Sequence, residues 1–345
     1  MPPNIRREVI RMFDLYLLTG ATGFLGSVIL RKLLALPARA RVLVLPEDPL
    51  RADLPAGAEV CPGRVDDRAS LEAFFRGDLR RACLIHCAGI VSIASEESGR
   101  LWDVNVRGTE NILSLCAERG VKKVVYVSSV HAIPERPKGE TIREVSSFSG
   151  EAVVGPYAKS KAEASRIAME YAARGLDISL VHPSGILGPE DPSRGSVTGI
   201  ILRYCRGQLP FGVGGGYDFV DVRDVADGVL ACAERGRRGE GYILSNRYAD
   251  IREILQELRF LTRGKRLLFS LPRRLVRLAA PLCEKLALRR KKPLFLTPYS
   301  VYTLFSNAVF SHEKATRELD YRPRELRETL ADVVLWLRRA RLIDT

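Results

Sequence analysis

Leu15-Tyr16-Leu17-Leu18-Thr19-Gly20-Ala21-Thr22-Gly23-Phe24-Leu25-Gly26 decides the fold, because a short apolar run breaks into three glycines spaced by three and then resumes as a helical pattern. An apolar run of this length bounded by turn residues reads as a buried parallel strand. Beyond Gly26, the residues Val28, Ile29, Leu30, Leu33, Leu34 and Leu36 recur at helical spacing until Pro37 stops them. Strand, glycine turn and helix form the front of a βαβ unit whose helix N-terminus offers free N–H groups to a phosphate. Each glycine then has its own role. Gly20 makes the tight turn, Gly23 lets the backbone approach a pyrophosphate, and Gly26 packs the helix close on the strand.

Outward from this turn, strands and helices alternate. Strands are expected at Arg41 to Leu45, Glu59 to Cys61, Cys83 to His86, Lys123 to Val127 and Ile178 to Val181. Helices are expected at Ala69 to Phe75, Leu101 to Glu118 and Tyr157 to Ala173, the last ended by Gly175. Such alternation, with right-handed crossovers, implies an α/β fold: a Rossmann-like, doubly wound parallel sheet with helices on both faces. Past Pro183 the text turns glycine-rich and then arginine-rich, so residues 13–185 are assigned to the dinucleotide-binding core, 218–250 to a return into it, and 186–217 with 251–345 to a smaller, interleaved substrate-binding region.

The 345 residues, 46% hydrophobic and 28% charged, suit a globular protein with a large core. Seven cysteines lie scattered without CxxC pairs or histidine partners, which gives no metal site and favours a reducing, cytoplasmic location. No apolar stretch approaches the length of a membrane span. The formal charge of +13 suits an anionic cofactor or lipid surface, while basic and aromatic residues do not interleave as nucleic-acid binding requires.

A second constellation supplies chemistry. Tyr157 and Lys161 stand four apart at the start of a helix, so both side chains share one face. A phenol with an ordinary pKa near ~10 needs a neighbouring cation to act as a proton carrier near neutrality, and Lys161 supplies one. Ser129, at the end of the fifth strand, lies at the carboxyl edge where open α/β sheets place their sites, ready to hydrogen-bond a substrate oxygen.

Together, Thr19 to Gly26, His86-Cys87-Ala88-Gly89, Asn105-Val106-Arg107-Gly108-Thr109, Val127-Ser128-Ser129 and Tyr157 with Lys161 resemble the extended short-chain dehydrogenase/reductase family, of the NAD-dependent epimerase/dehydratase type. The resemblance implies that Tyr157 is the acid-base residue, that Lys161 lowers its pKa and holds the nicotinamide ribose, and that Ser129 rather than Ser128 polarises the reacting oxygen. It further implies cofactor contacts from Gly20, Thr22, Gly23, Phe24, Leu25, Gly26, Val65, Ala88, Gly89 and Pro183, with Asn105 behind the site.

Two departures bear on the cofactor. Gly63-Arg64-Val65 replaces the Gly-Asp that family members direct at adenine, leaving adenine recognition to backbone near Val65. The second strand ends in Leu45-Pro46-Glu47-Asp48, with no carboxylate directly at its tip to grip a ribose 2′-OH. Glu47 remains within reach, and Arg41 or Arg51 is placed to meet a 2′-phosphate, which tilts the expectation between NAD and NADP slightly toward NADP.

Dehydratases of the family carry Asp-Glu after the catalytic hydroxyl residue; here Val130-His131 stands there, against dehydration. His182-Pro183-Ser184-Gly185-Ile186-Leu187-Gly188-Pro189 is closer to the dihydroflavonol reductase and 3β-hydroxysteroid dehydrogenase branches than to the nucleotide-sugar epimerases. The leading expectation is therefore hydride transfer between nicotinamide and a secondary alcohol or carbonyl. A nucleotide-sugar epimerase with tightly bound NAD is the alternative, and a non-catalytic NAD(P)-sensing protein the second. The expected partners are a small-molecule substrate of lipophilic character and, in a homodimer, a second copy. His131 is expected to pack rather than react.

Between Arg263 and Lys292 there are eleven basic residues and one acid, Glu284, while Leu275, Leu278, Leu282 and Leu286 recur at helical spacing. The expectation preferred here is a substrate-domain helix with that leucine stripe in the core and its arginines in water. Peripheral contact with an anionic membrane is the other outcome of the same pattern.

Overall fold

The computed structural model describes residues 12–209, 212–264 and 270–343. Its strands are β1 (Leu15–Thr19), β2 (Arg39–Val44), β3 (Ala58–Pro62), β4 (Ala82–His86), β5 (Lys123–Val127), β6 (Ile178–Pro183), β7 (Gly185–Leu187), β8 (Gly212–Val213), β9 (Gly216–Asp221), β10 (Gly241–Leu244), β11 (Arg247–Asp250) and β12 (Ser270–Leu271). The helices are α1 (Phe24–Leu34), α2 (Gly99–Trp102), α3 (Gly108–Glu118), α4 (Pro156–Ala173), α5 (Ser196–Cys205), α6 (Val222–Arg235), α7 (Ile251–Thr262), α8 (Arg273–Arg289), α9 (Pro298–Phe305), α10 (Glu313–Leu319) and α11 (Leu326–Arg339).

Seven parallel strands form the main sheet in the order β10-β6-β5-β4-β1-β2-β3. Their side chains alternate between two apolar layers, so strands covered on both faces read as continuous apolar runs. Leu17, Leu84 and Val124 face α3 and α4. Leu18, Ile85 and Val125 face α1, α6 and α10. Strand order reverses between β1 and β4, and at such a switch point the carboxyl ends of the strands open a crevice for a ligand. Gly241–Leu244 adds the strand beside β6, whereas Gly216–Asp221 pairs with β7 and β11 in a separate three-stranded sheet. A third cluster, from α5, α7 and α11, packs the C-terminal region on that smaller sheet.

Three expectations are corrected. Ala69 to Phe75 is not an α-helix: only a 3-10 turn, Arg68–Leu71, forms there. Phe74 and Phe75, in the turn that follows, are both buried and packed edge to face. Arg41 does not reach toward a ribose phosphate. Its guanidinium is buried, donates to the carbonyls of Phe74 and Arg76, and pairs with Glu59 at 3.0 Å. Lastly, the leucine stripe of α8 is not in the core. Leu275, Leu278, Leu282 and Leu286 are exposed, and the helix buries Val276, Ala280 and Glu284 instead.

Candidate active site

The glycine turn leaves β1 at Gly20, whose φ of 74° is a left-handed conformation that a side chain resists. A Cβ there would also sit 2.8 Å from the Ala88 nitrogen, so the loops after β1 and β4 touch. At Gly26 a Cβ would fall 1.9 Å from the Gly20 carbonyl oxygen, which fixes glycine where α1 crosses the turn. Gly23 caps α1 without any side-chain hydrogen bond, and the first turn carries no acid. The leading N–H groups and dipole of α1 are thus unopposed by negative charge within that turn, and Gly23 and Gly89 lie exposed on the two touching loops.

Beneath the turn a buried polar chain holds the strand ends. Thr109 donates to the Asn105 carbonyl, so it accepts from Nε2 of His86 at 3.1 Å. The Thr19 hydroxyl then donates to Nδ1 of His86 at 2.7 Å and accepts from the Ala88 N–H at 3.1 Å. His86 is therefore neutral with its proton on Nε2, and burial pushes its pKa down to about 3. The chain passes through one turn of π-helix, Asp103–Arg107, between α2 and α3. This widened turn presents Asn105, whose amide accepts from the Ile90 N–H at 2.7 Å, donates to the Ile90 carbonyl at 3.0 Å, and donates to Ser160 on α4 at 3.0 Å. Asn105 therefore clamps the loop after β4 to α4.

Ser128 and Ser129 end β5 differently. Ser128 shares a buried hydrogen bond of 2.7 Å with Ser165 and serves to pack α4 on the sheet. Ser129 accepts from the His131 N–H at 3.2 Å, and its hydroxyl stands near enough to the phenol of Tyr157 to favour the phenolate. One turn further along α4, Lys161 donates to the Val127 carbonyl at 2.8 Å and lies 5.0 Å above the Tyr126 ring. Ser129, Tyr157 and Lys161 thus converge at the carboxyl edge of β5, all buried. Burial disfavours both charged forms. It pushes the Tyr157 phenol up to about 12, against the lowering influence of the Ser129 hydroxyl, and pulls Lys161 down to about 8. Gly89 adjoins this group, since a Cβ on it would come within 3.6 Å of the Lys161 ammonium.

The other assigned positions spread along the same edge. Thr22 donates to the Asp48 carboxylate at 2.6 Å, bringing an acid beside the glycine turn. Glu47 is paired with Arg64, and its own backbone N–H together with that guanidinium holds its carboxyl below the usual range. The Val65 carbonyl accepts from Asn111 at 3.0 Å. Val65 packs on Gly108, where no side chain would fit. Pro183 ends β6 opposite Leu244 of β10. Arg51 is exposed in the 3-10 turn Pro49–Asp53.

The C-terminal region supplies residues that sequence patterns did not single out. Tyr299 of α9 packs with Leu101 and Tyr157. Gly155, with φ 96°, makes room for its ring, because a Cβ there would lie 2.2 Å from the ring edge. His131 is held between two phenols, Tyr217 at 3.0 Å from Nε2 and Tyr299 at 3.3 Å from Nδ1, and its ring lies edge-on to Tyr157 at 5.8 Å. Burial lowers its pKa to about 4, so it is neutral near neutrality. Behind it lies a cavity of about 120 Å³ whose walls include Val130, Val153, Tyr217, Tyr302, Asn307 and Phe310. The only sequence signal for Tyr217 and Tyr299 was their type; their convergence comes from β9 and α9 folding back over β5. Among the described residues no cluster of metal-ligating side chains occurs, and no helix is long and apolar enough to cross a membrane.

Residues 16–245 match the profile of the NAD dependent epimerase/dehydratase family. Sterol demethylase protein B of Methylococcus capsulatus is 33% identical over 332 residues, covering 95% of this chain and 99% of its own. The 4-hydroxy-2-methyl-3-oxo-4-farnesyl-3,4-dihydroquinoline-1-oxide ketoreductase of Stigmatella aurantiaca is 27% identical, covering 88% of this chain and 90% of its own. Among solved structures, that of gox2253 superposes with a TM-score of 0.83 at 29% identity, covering 96% of this chain and all of that one, 100%.

Proposed function

Because the chain belongs to the NAD dependent epimerase/dehydratase family, we propose that it is a nicotinamide-dependent oxidoreductase that reduces a ketone, or oxidises the matching secondary alcohol, on a lipophilic substrate. The convergence of Ser129, Tyr157 and Lys161 at the end of β5 carries this proposal. Support for a lipophilic ketone comes from the apolar and aromatic surroundings of Tyr157 and from relatives named for sterol demethylation and for reduction of a farnesylated ring ketone.

The residues present fit a dinucleotide. Gly20 and Gly26 admit no side chain, Gly23 and Gly89 are exposed, and the first turn of α1 lacks both a side-chain cap and an acid. Gly20, Thr22, Gly23, Phe24, Leu25 and Gly26 would hold the pyrophosphate, Val65 the adenine side, Ala88 and Gly89 the ribose, and Lys161 and Pro183 the nicotinamide end. When bound, the nicotinamide supplies or accepts the hydride. The chain's own residues handle the proton. Tyr157 is protonated at neutral pH and donates its phenolic proton to the substrate oxygen when a carbonyl is reduced. Ser129 donates a second hydrogen bond to that oxygen as negative charge develops. Lys161, one helical turn away, stabilises the phenolate left behind.

For the nucleotide, the proposal moves to NAD. Arg41 is committed to Glu59 and the carbonyls of Phe74 and Arg76, while Asp48 stands beside the turn on Thr22 and would repel a 2′-phosphate. The test is a comparison of kcat/KM for reduction with NADH and with NADPH. Preference for NADH of about tenfold or more is expected, Asp48→Ser should narrow it, and a preference for NADPH would overturn the assignment.

A further inference from the structure

Helix α8 presents an apolar face that the rest of the described residues leave exposed. At about 100° per residue, Leu275, Leu278, Leu282 and Leu286 fall within an arc of roughly 80°, and they are 54%, 77%, 62% and 40% exposed. The buried seam, Val276, Ala280 and Glu284, lies on another side of the helix and rests on α9 and the loop carrying Ser95. This helix is therefore anchored by one face and offers the other outward.

Charge decides what that outward face meets. Arg274 and Lys285 run along one edge of the stripe, and Arg289, Arg290, Lys291 and Lys292 close its C-terminal end, all exposed. The one acid of the segment, Glu284, is turned inward, where its carboxylate accepts from the Ser95 N–H at 2.8 Å. The outward surface thus combines leucines with positive charge that no acid of the helix offsets. A second copy of the chain would bring like charges together, which opposes a symmetric contact through this face. An anionic bilayer satisfies both features, taking the leucines into its apolar boundary and the cations at its phosphates.

We propose that α8 docks this protein on an anionic lipid surface through Leu275, Leu278, Leu282 and Leu286. The helix also packs on the element that reaches the site, Val276 and Ala280 lying against Val301 of α9. Its partner α9 carries Tyr299, which packs on Tyr157, and the residue before α9, Thr297, donates to the Ile93 carbonyl in the loop beyond β4. A docked molecule would therefore hold the entrance of its site close to the lipid from which an apolar substrate comes.

The test is co-sedimentation of the full chain with vesicles of phosphatidylcholine containing about one-third phosphatidylglycerol, beside vesicles of phosphatidylcholine alone. The bound fraction is expected to be at least about tenfold higher on the anionic vesicles, to fall on adding about 1 M salt, and to drop by about tenfold in Leu278→Ser/Leu282→Ser. That variant should keep its unfolding temperature and its kcat on a water-soluble ketone. Equal binding to both vesicle types, or binding unchanged in the double variant, would overturn the proposal. So would a leucine-dependent, concentration-dependent dimer in solution without vesicles. None of the binding readouts depends on whether the chain turns over a ketone.

Discussion

Around the switch point of the sheet, between β1 and β4, the polar side chains beneath the surface are tied into a continuous network, and glycines stand where backbone meets backbone. Thr19, His86, Thr109 and Asn105 are joined hydrogen bond to hydrogen bond, and Gly20 and Gly26 leave no space for a methyl group. On α8 the arrangement is reversed: leucines stand in solvent and the helix's only acid is inside. The first region commits its residues to fixing the backbone that would receive a cofactor. The second keeps apolar surface available for something outside the chain. A change at the first should therefore be felt as lost activity or stability, and a change at the second only when a partner is present.

The largest effect is expected at Tyr157. Replacing it with Phe removes the proton donor and should lower kcat by about a thousandfold while leaving cofactor affinity within about twofold, measured by turnover and by fluorescence titration. Wild-type turnover in that variant would remove Tyr157 from the chemistry. Gly26→Ala comes next. A methyl group 1.9 Å from the Gly20 carbonyl must displace α1 from the turn, which should cost about 3 kcal/mol of stability in denaturant unfolding and abolish saturable cofactor binding.

A smaller, graded effect comes from acid. His86 and His182 are buried and His131 half-buried, and desolvation holds all three neutral with pKa values lowered to about 3, 4 and 4 for His86, His131 and His182. A histidine whose folded pKa lies below its unfolded value near ~6.5 binds protons better in the unfolded chain. Their contribution is present above that value and is lost as pH falls toward 4. The unfolding temperature should accordingly decline from about pH 6.5 downward, and His131→Phe should make the decline shallower. A flat profile across that window would show that these rings are not held neutral. The smallest effect is expected at α8: Leu278→Ser/Leu282→Ser should change stability by less than about 0.5 kcal/mol without vesicles, and a larger loss would place the stripe in an intramolecular contact.

The same contrast explains how far the sequence could be read. The strands of the main sheet and the helices α1, α3 and α4 announce themselves because apolar runs, glycines and helical spacing act locally. The grouping of Ser129, Tyr157 and Lys161 at one strand end was legible for a similar reason, since two share a helix face and the third follows the end of a strand. Periodicity on α8 revealed which residues share a face, yet gave no sign of which face turns inward; only the packing of Val276, Ala280 and Glu284 on α9 and the Ser95 loop decides that. Arg41 lost its expected role because it lies in the body of β2, where its side chain meets Glu59 rather than the strand tip. The π-helical turn under Asn105 and the convergence of Tyr217 and Tyr299 on His131 arise from contacts between distant segments, which no local pattern encodes.

The most direct test of the proposed chemistry is net consumption of reduced nicotinamide, followed by its near-ultraviolet absorbance, when the purified protein is mixed with NADH and a panel of apolar cyclic ketones. Stoichiometric loss of the reduced cofactor with at least one ketone, abolished in Tyr157→Phe, is the predicted result. Interconversion of nucleotide sugars with no net change in the cofactor, or cofactor binding with no turnover of any ketone or alcohol, would contradict it.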